Sequence, residues 1–279
     1  GAIMNSSTQL KALIRNMSKE KNINAQILLR NYMLERLLER ISVSKYKDEF
    51  ILKGGMLVAA MVGIDTRSTM DMDATIKGQA VNKENVETIL NEIVSLDIGD
   101  NVKMFLKGIE EIRDEAEYPG LRASIQTEFD GITNVLKLDM TTGDVIVPKE
   151  ITYGFKLMFE DRILEVQAYN IETVLAEKIE TIITRATVNT RMRDFYDVYI
   201  IMTMYKDLID MKLLNDAINK VCINRGTSHI LTEKTEIIQE IESSIQMQKL
   251  WSIYQNKYAY ANEVEWKNIM VVLKEYDEG

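Results

Sequence analysis

Cysteine, histidine and proline are almost absent from this chain. Cys222 is the lone cysteine and His229 the lone histidine among 279 residues. One cysteine excludes an intramolecular disulfide and a multi-cysteine zinc site, and it suits a reducing, cytoplasmic setting. One histidine excludes a two-histidine metal site within the chain and disfavours Ser-His-Asp chemistry. Any catalysis therefore falls to carboxylates and lysines. The prolines are Pro119 and Pro148, and their absence from about residue 151 onward favours a helical C-terminal half. Positive charge is also short, with 34 Lys and Arg against 43 Asp and Glu and a net charge of -9. That balance argues against a generally basic nucleic-acid binder but leaves room for a local basic patch. The longest apolar run, Met56 to Ile64, is far too short for a membrane span, so no membrane partner is expected. The first residues carry no signal-peptide pattern, and Gly1-Ala2-Ile3 before Met4 reads as a cloning scar.

What is present reads as α+β. A helical pattern follows Ser6 and Ser7, and a second helix runs from about Asn24 to Ser42 with Leu34, Leu37, Leu38 and Ile41 broadly on one face. Phe50-Ile51-Leu52 reads as a short buried strand that ends at Gly54-Gly55, and Met56 to Val62 as a helix. The alternation from Asp71 to Ile76 predicts a strand. A helix over Val86 to Val94 and further strands near 102–109, 121–128, 134–140, 153–159 and 163–168 follow. From Ile171 the pattern is helical to Tyr276. A mixed sheet with helices followed by a helical bundle is expected. The expected division is 4–169 and 170–279, with the second part contributing to the active site.

The strongest local signal is Lys53-Gly54-Gly55 followed by Asp71-Met72-Asp73. Two aspartates two apart on a strand point to the same side, where like charges repel unless a cation is shared. Magnesium takes one or two carboxylates together with substrate phosphates. Gly54 and Gly55 would offer unobstructed backbone N–H groups to a phosphate at a helix start. A solvated surface pair beside an ordinary glycine turn would give the same residues. Arg67, just upstream, reads either as part of this site or as a turn charge. Lys178 falls on the apolar stripe of Ile171, Val174, Leu175, Ile179 and Ile182. A lysine there either snorkels or meets an anion such as a triphosphate, and on that reading Lys178→Met leaves the fold as stable or more so. Asn170 is placed to cap that helix. Asp194 and Asp197 share a helix face, as site residues or as a helix start paired with an arginine. Asp139 sits in an otherwise alternating strand and reads as a third metal ligand or as a cap for the turn after it. Arg185, Arg191 and Arg193, with Lys11 and Arg15, could receive RNA or form ordinary solvated faces.

Taken in order, Lys53-Gly54-Gly55, Arg67-Ser68-Thr69-Met70-Asp71-Met72-Asp73, Leu136-Lys137-Leu138-Asp139 with Gly143-Asp144, Tyr169 with Glu172-Thr173-Val174-Leu175-Ala176-Glu177-Lys178, and Arg191-Met192-Arg193-Asp194-Phe195-Tyr196-Asp197 resemble the AbiEii/AbiGii family of abortive-infection toxins. The resemblance spans roughly Phe50 to Tyr199. It implies a polymerase-β-like nucleotidyltransferase core with added helices, acting as the toxin of a type IV toxin–antitoxin pair in phage defence. It also implies a magnesium ion, a nucleoside triphosphate, an RNA acceptor such as the 3′ end of tRNA, and a cognate antitoxin that forms no stable complex with it. By position it puts Gly54 and Gly55 on the phosphate-binding turn, Asp71 and Asp73 on the metal pair, Lys178 on the triphosphate and Asp194 on the late motif aspartate. Asp139 and Asp197 also match motif positions. Phosphorylation of Thr69, two before Asp71, would repel both triphosphate and metal carboxylates. Two departures stand out. Gly55 replaces the serine usual after the first glycine, and the gap to Asp71 is slightly long. Rival readings are nucleotidyl transfer to a protein or small molecule, and a catalytically silent nucleotide-binding subunit.

Overall fold

The computed structural model describes residues 4–112 and 120–278; Gly1-Ala2-Ile3 and Pro119 lie outside them. The chain divides into two compact units, residues 1–143 with 150–168, and residues 144–149 with 169–279.

The first unit is built on a seven-stranded mixed sheet. Its strands are β1 (Phe50–Lys53), β2 (Met72–Ile76), β3 (Lys103–Ile112), β4 (Gly120–Phe129), β5 (Ile132–Thr141), β6 (Ile151–Lys156) and β7 (Ile163–Ala168). Their order is β3-β4-β5-β2-β1-β7-β6. β2 lies between β1, which runs antiparallel to it, and β5, which runs parallel. Alternation sets the two faces. Leu121, Ala123, Ile125 and Phe129 of β4 are buried, while Arg122, Ser124, Gln126 and Glu128 are half-buried. In β5, Leu136, Leu138 and Met140 are buried while Lys137 and Asp139 are not. Helices α1 (Ser7–Lys21), α2 (Ala25–Val43), α3 (Gly54–Val62) and α4 (Lys83–Val94) complete the unit. The N-caps Ser6, Asn24 and Asn82 each accept a first-turn backbone N–H.

Helix α2 departs from the one-faced helix that its periodicity predicts. It packs against β5, β7, α1 and α4, and Glu35, Arg36, Glu39 and Arg40 are buried along with its leucines. Each charge has a partner. Arg40 makes a bidentate pair with Asp100 at 2.7 and 2.9 Å and donates to the Val102 carbonyl. Glu39 receives Arg36 and Arg162, and Glu35 accepts the Met158 N–H. Burial, opposed by that N–H, pushes the Glu35 carboxyl up to about 8. Between the ordinary carboxylate range and pH 8 the folded chain thus holds a proton that the unfolded chain releases. This stabilisation is complete below about pH 4.5 and is lost as pH rises through 8. Melts of the wild type should fall across that window with a slope of up to about 1.4 kcal/mol per pH unit, and Glu35→Gln should flatten it. An unchanged slope in the variant would assign the effect elsewhere.

The second unit is helical: α5 (Ile171–Arg185), α6 (Met192–Met204), α7 (Met211–Arg225), α8 (Lys234–Ser243), α9 (Ile245–Lys257) and α10 (Trp266–Glu278). Its core includes Leu175, Ile179 and Ile182 of α5, Phe195, Val198 and Ile201 of α6, and Ile269 and Leu273 of α10. The fold class is α+β, a mixed sheet with helices followed by a helical bundle. Asn170 stands at the α5 N-cap without capping through its side chain. That side chain accepts from the Thr173 hydroxyl and donates to the Val147 carbonyl, tying residues 144–149 to the start of α5. Among the described residues no helix is long and apolar enough to cross a membrane.

Candidate active site

In the first unit the site residues sit where β1 turns into α3 and where β2 begins. Lys53 is the last residue of β1 and occupies the α3 N-cap without a side-chain cap bond. The first-turn N–H groups of α3 therefore have no side-chain acceptor from their own cap. Gly54 has φ +70°, a conformation that costs any other L-residue about 1–2 kcal/mol. A Cβ there would lie 2.8 Å from Cγ and 2.9 Å from Cβ of Asp73, on top of its Oδ2. The missing side chain of Gly54 is the space that the Asp73 carboxylate occupies. Gly54→Ala should displace that carboxylate, and transfer should fall by about a hundredfold or more, as when one positioned catalytic group is lost. A nucleotidyl-transfer assay with a thermal melt checks it, and an active Gly54→Ala enzyme would remove this turn from the site.

Gly55 has a different reason. A Cβ there would meet Thr69 Oγ1 at 3.0 Å and the Arg67 guanidinium at 3.2 and 3.4 Å. A side chain there would press on Arg67 and Thr69. Arg67 is buried and donates to the Ser68 carbonyl, so it is not a solvated turn charge. Thr69 is also buried, and its hydroxyl donates to the Asp71 carbonyl at 3.1 Å. A kinase would reach it only after that turn opens.

Asp73 stands in register with Lys53 of β1 on one side and Asp139 of β5 on the other. Asp139 is in register with Arg122 of β4. One row of the sheet thus reads Lys53, Asp73, Asp139, Arg122. Asp71 comes just before the first residue of β2. Asp139 does not cap the turn after β5. Its two oxygens accept from Arg122 Nε at 2.7 Å and Nη2 at 2.9 Å. That bond to Asp139, with the added charge of Asp71, holds the Arg122 guanidinium still more firmly protonated. Lys53 Nζ donates to Thr141 Oγ1 at 2.7 Å.

Donor chemistry suits magnesium. Asp71 and Asp73 offer hard oxygen atoms of the number that magnesium uses when substrate phosphates complete its shell, and the absence of a side chain at Gly54 leaves room for the Asp73 carboxylate. Among the described residues no group of three or more His, Cys, Asp or Glu is gathered for a metal.

In the second unit the structure brings Lys178, Asp194 and Asp197 together. Lys178 Nζ lies 2.9 Å from Asp197 Oδ2 and 3.6 Å from Asp194 Oδ1. Asp197 is fully buried and Asp194 nearly so. Lys178 therefore does not merely snorkel, and the sequence ranks Asp197 below Asp194 although it is the nearer partner. Asp194 also faces Arg191 Nε at 3.9 Å, as a helix-start aspartate would. Ahead of α5, the Tyr169 hydroxyl donates to Glu177 of that helix at 2.9 Å. Of the basic residues considered for RNA, Lys11, Arg15 and Arg193 are exposed, while Arg185 and Arg191 are half-buried.

Arg122 is the residue that sequence reasoning missed. It alternates in phase with Ser124, Gln126 and Glu128 on the polar face of β4, so its facing was legible, but its partner depends on a register that no spacing reveals.

The model of the AbiEii nucleotidyl transferase toxin family, type IV toxin–antitoxin systems, matches residues 36–271. No curated relative matches the chain. Among solved structures, a candidate nucleotidyltransferase of Helicobacter pylori is similar at 13% identity and a TM-score of 0.51, over 92% of this chain and 96% of its own. JHP933 from Helicobacter pylori is similar at 12% identity and a TM-score of 0.51, over 92% and 94%. At these identities the likeness concerns the fold alone. The family match over most of the chain makes this protein a member of the AbiEii nucleotidyl transferase toxin family, a nucleotidyltransferase of the type IV toxin–antitoxin class.

Proposed function

We propose that this toxin transfers a nucleotide from a nucleoside triphosphate to an RNA acceptor, the 3′ end of tRNA, in the cytoplasm, using magnesium. The observation that carries the reading is the Gly54 opening, filled by the carboxylate of Asp73 at the start of α3. Asp71 and Asp73 would hold magnesium, which when bound neutralises the triphosphate and lowers the pKa of an acceptor hydroxyl. The α3 first-turn N–H groups behind Gly54 and Gly55 would receive phosphate oxygens. Lys178 would neutralise charge that develops on the phosphates as the acceptor oxygen bonds to the α-phosphorus and pyrophosphate leaves. Asp197 and Asp194 would hold the Lys178 ammonium in place. Lys11 and Arg15, exposed and one turn apart on α1, and the exposed Arg193 supply local positive charge for RNA. The antitoxin implied by the family would act without forming a stable complex.

The test is incubation of the purified chain with magnesium and each α-labelled nucleoside triphosphate, offered total RNA or a protein lysate. Label at the 3′ end of tRNA is the expected result. Label in protein or in a small molecule would redirect the acceptor, and no label with any acceptor would overturn the reading. Expression in bacteria should arrest growth, and Asp71→Ala should relieve the arrest.

A further inference from the structure

The ladder of β3, β4 and β5 has two unlike sides. On one, Ala123, Ile125, Leu136 and Leu138 are fully buried. The other carries the row Lys53, Asp73, Asp139, Arg122 and continues away from it. The next row is Gly108, Ser124 and Lys137, and the one after is Phe105, Gln126 and Val135. Successive rows are two residues apart, about 7 Å, and alternation keeps them on one side of β4 and β5. In β3 the register shifts between Leu106 and Gly108. That bulge lets Phe105 and Gly108, three apart, share this side, whereas in a regular strand they would face opposite ways.

These rows are open. A Cβ on Gly108 would meet no atom within 4 Å, and Phe105 is 45% and Val135 40% exposed. One exposed apolar side chain needs no explanation. Here two flank Gln126 in a single row, on the side that bears the site carboxylates. Between them and the carboxylates stands Lys137, half-buried, its ammonium bonded to the Ser124 hydroxyl at 2.7 Å. Lys107, in the bulge, is exposed. The acid in the row beyond, Glu128, accepts from Gln126 and stands in register with Lys103. Outward from the carboxylates, the order is therefore an ammonium and then an aromatic ring. A nucleic-acid strand presents a phosphate and then a base to such an order. An ammonium binds phosphate as a point charge, and a ring stacks on any base. An extended peptide would instead add to an unpaired sheet edge, and β4 and β5 are paired on both edges.

We propose that this open side of β3–β5 is the bed of the acceptor, over which the single-stranded 3′ end of an RNA runs to the carboxylates with a phosphate on Lys137 and a base on Phe105; this rests on the reading that the acceptor is RNA. Stacking accepts every base, so Phe105 holds the strand without reading its sequence. It requires an unpaired end, because the faces of stacked, paired bases are covered.

The test is fluorescence anisotropy with a 5′-labelled RNA hairpin bearing a short single-stranded 3′ overhang, against the same hairpin with a blunt end, without nucleoside triphosphate. The overhang should bind about tenfold more tightly. Phe105→Ala should remove that advantage and raise the RNA KM in transfer by about tenfold, the scale of one lost base stack, with the KM for the nucleoside triphosphate unchanged. Phe105→Trp should restore both. Lys137→Gln should weaken the overhang and lower the slope of log Kd against log salt by about 0.7, one phosphate contact on a single strand, which Phe105→Ala should not do. Val135→Glu, which leaves Phe105 and Lys137 in place, should repel the strand and weaken it comparably. Melts of all four should stay near wild type, since none of these side chains is buried. Equal binding of the two hairpins by the wild type, or wild-type affinity in Phe105→Ala, would overturn the proposal. A wild-type dimer by light scattering that Phe105→Ala turns into a monomer would do so too, because a second copy would then cover the face. Either result alongside label in tRNA sinks this inference alone. Label in protein and in no RNA sinks the RNA reading with it.

Discussion

Asp73→Asn should lower nucleotidyl transfer by about a thousandfold or more, the scale expected when the group that positions a catalytic metal is lost. The melt should move by only a few degrees. Asparagine keeps the shape that fills the Gly54 opening, so the close approach of that turn is undisturbed. It also removes one of two negative charges in register on β2 and β5, which relieves repulsion in the metal-free protein. The same substitution should abolish growth arrest. Transfer and melt measured on one preparation separate the outcomes. A variant that loses activity only in proportion to folded fraction would make Asp73 a structural residue, and one that keeps wild-type turnover would move the metal elsewhere.

The contrast between Gly54 and Gly55 shows what the sequence makes legible. A glycine pair between a buried strand and a helix signals a turn with unobstructed backbone, and Gly54 is that turn, with positive φ and a carboxylate in the place of its side chain. Nothing in the pattern says that a Cβ at Gly55 would press on Arg67 and Thr69, which lie more than ten positions downstream. The same divide recurs in the sheet. Alternation puts Arg122 on a polar face and leaves the facing of Asp139 ambiguous, in phase with Val135 and Lys137, and only the antiparallel register of β4 and β5 pairs the two. Periodicity also misreads α2. It finds the leucines and cannot see that Asp100, Met158 and Arg162 approach its other sides and satisfy Arg40, Glu35 and Glu39. Local period is written in neighbouring residues, whereas compensation of a buried charge is written in residues far along the chain. Lys178 is the clearest case, because its place on an apolar stripe was legible and its two aspartate partners were only half so.

Those partners change what Lys178→Met should do. Stripe position alone implies that methionine removes a desolvation cost and leaves the fold intact. In the structure the substitution would take the ammonium away from Asp197, fully buried, and from Asp194. Breaking a buried pair by deleting one member costs about 3–5 kcal/mol, so Lys178→Met should lose both stability and transfer, and its inactivity alone would prove nothing about the phosphates. The informative variant is Lys178→Met/Asp197→Asn. It removes the ammonium together with its nearer carboxylate at 2.9 Å and should regain much of the lost melting temperature. If the ammonium binds the triphosphate, transfer or nucleotide affinity stays down by about tenfold or more, since a charge-assisted bond contributes roughly 1.5–3 kcal/mol. Lys178→Arg should hold the melt better than Lys178→Met yet fail to restore full transfer, because a planar fork replaces a point charge between two buried carboxylates. Nucleotide binding and transfer are measured beside the melt for all three. A stable Lys178→Met/Asp197→Asn enzyme with wild-type turnover would reduce Lys178, Asp194 and Asp197 to a structural ion cluster and leave catalysis to Asp71 and Asp73.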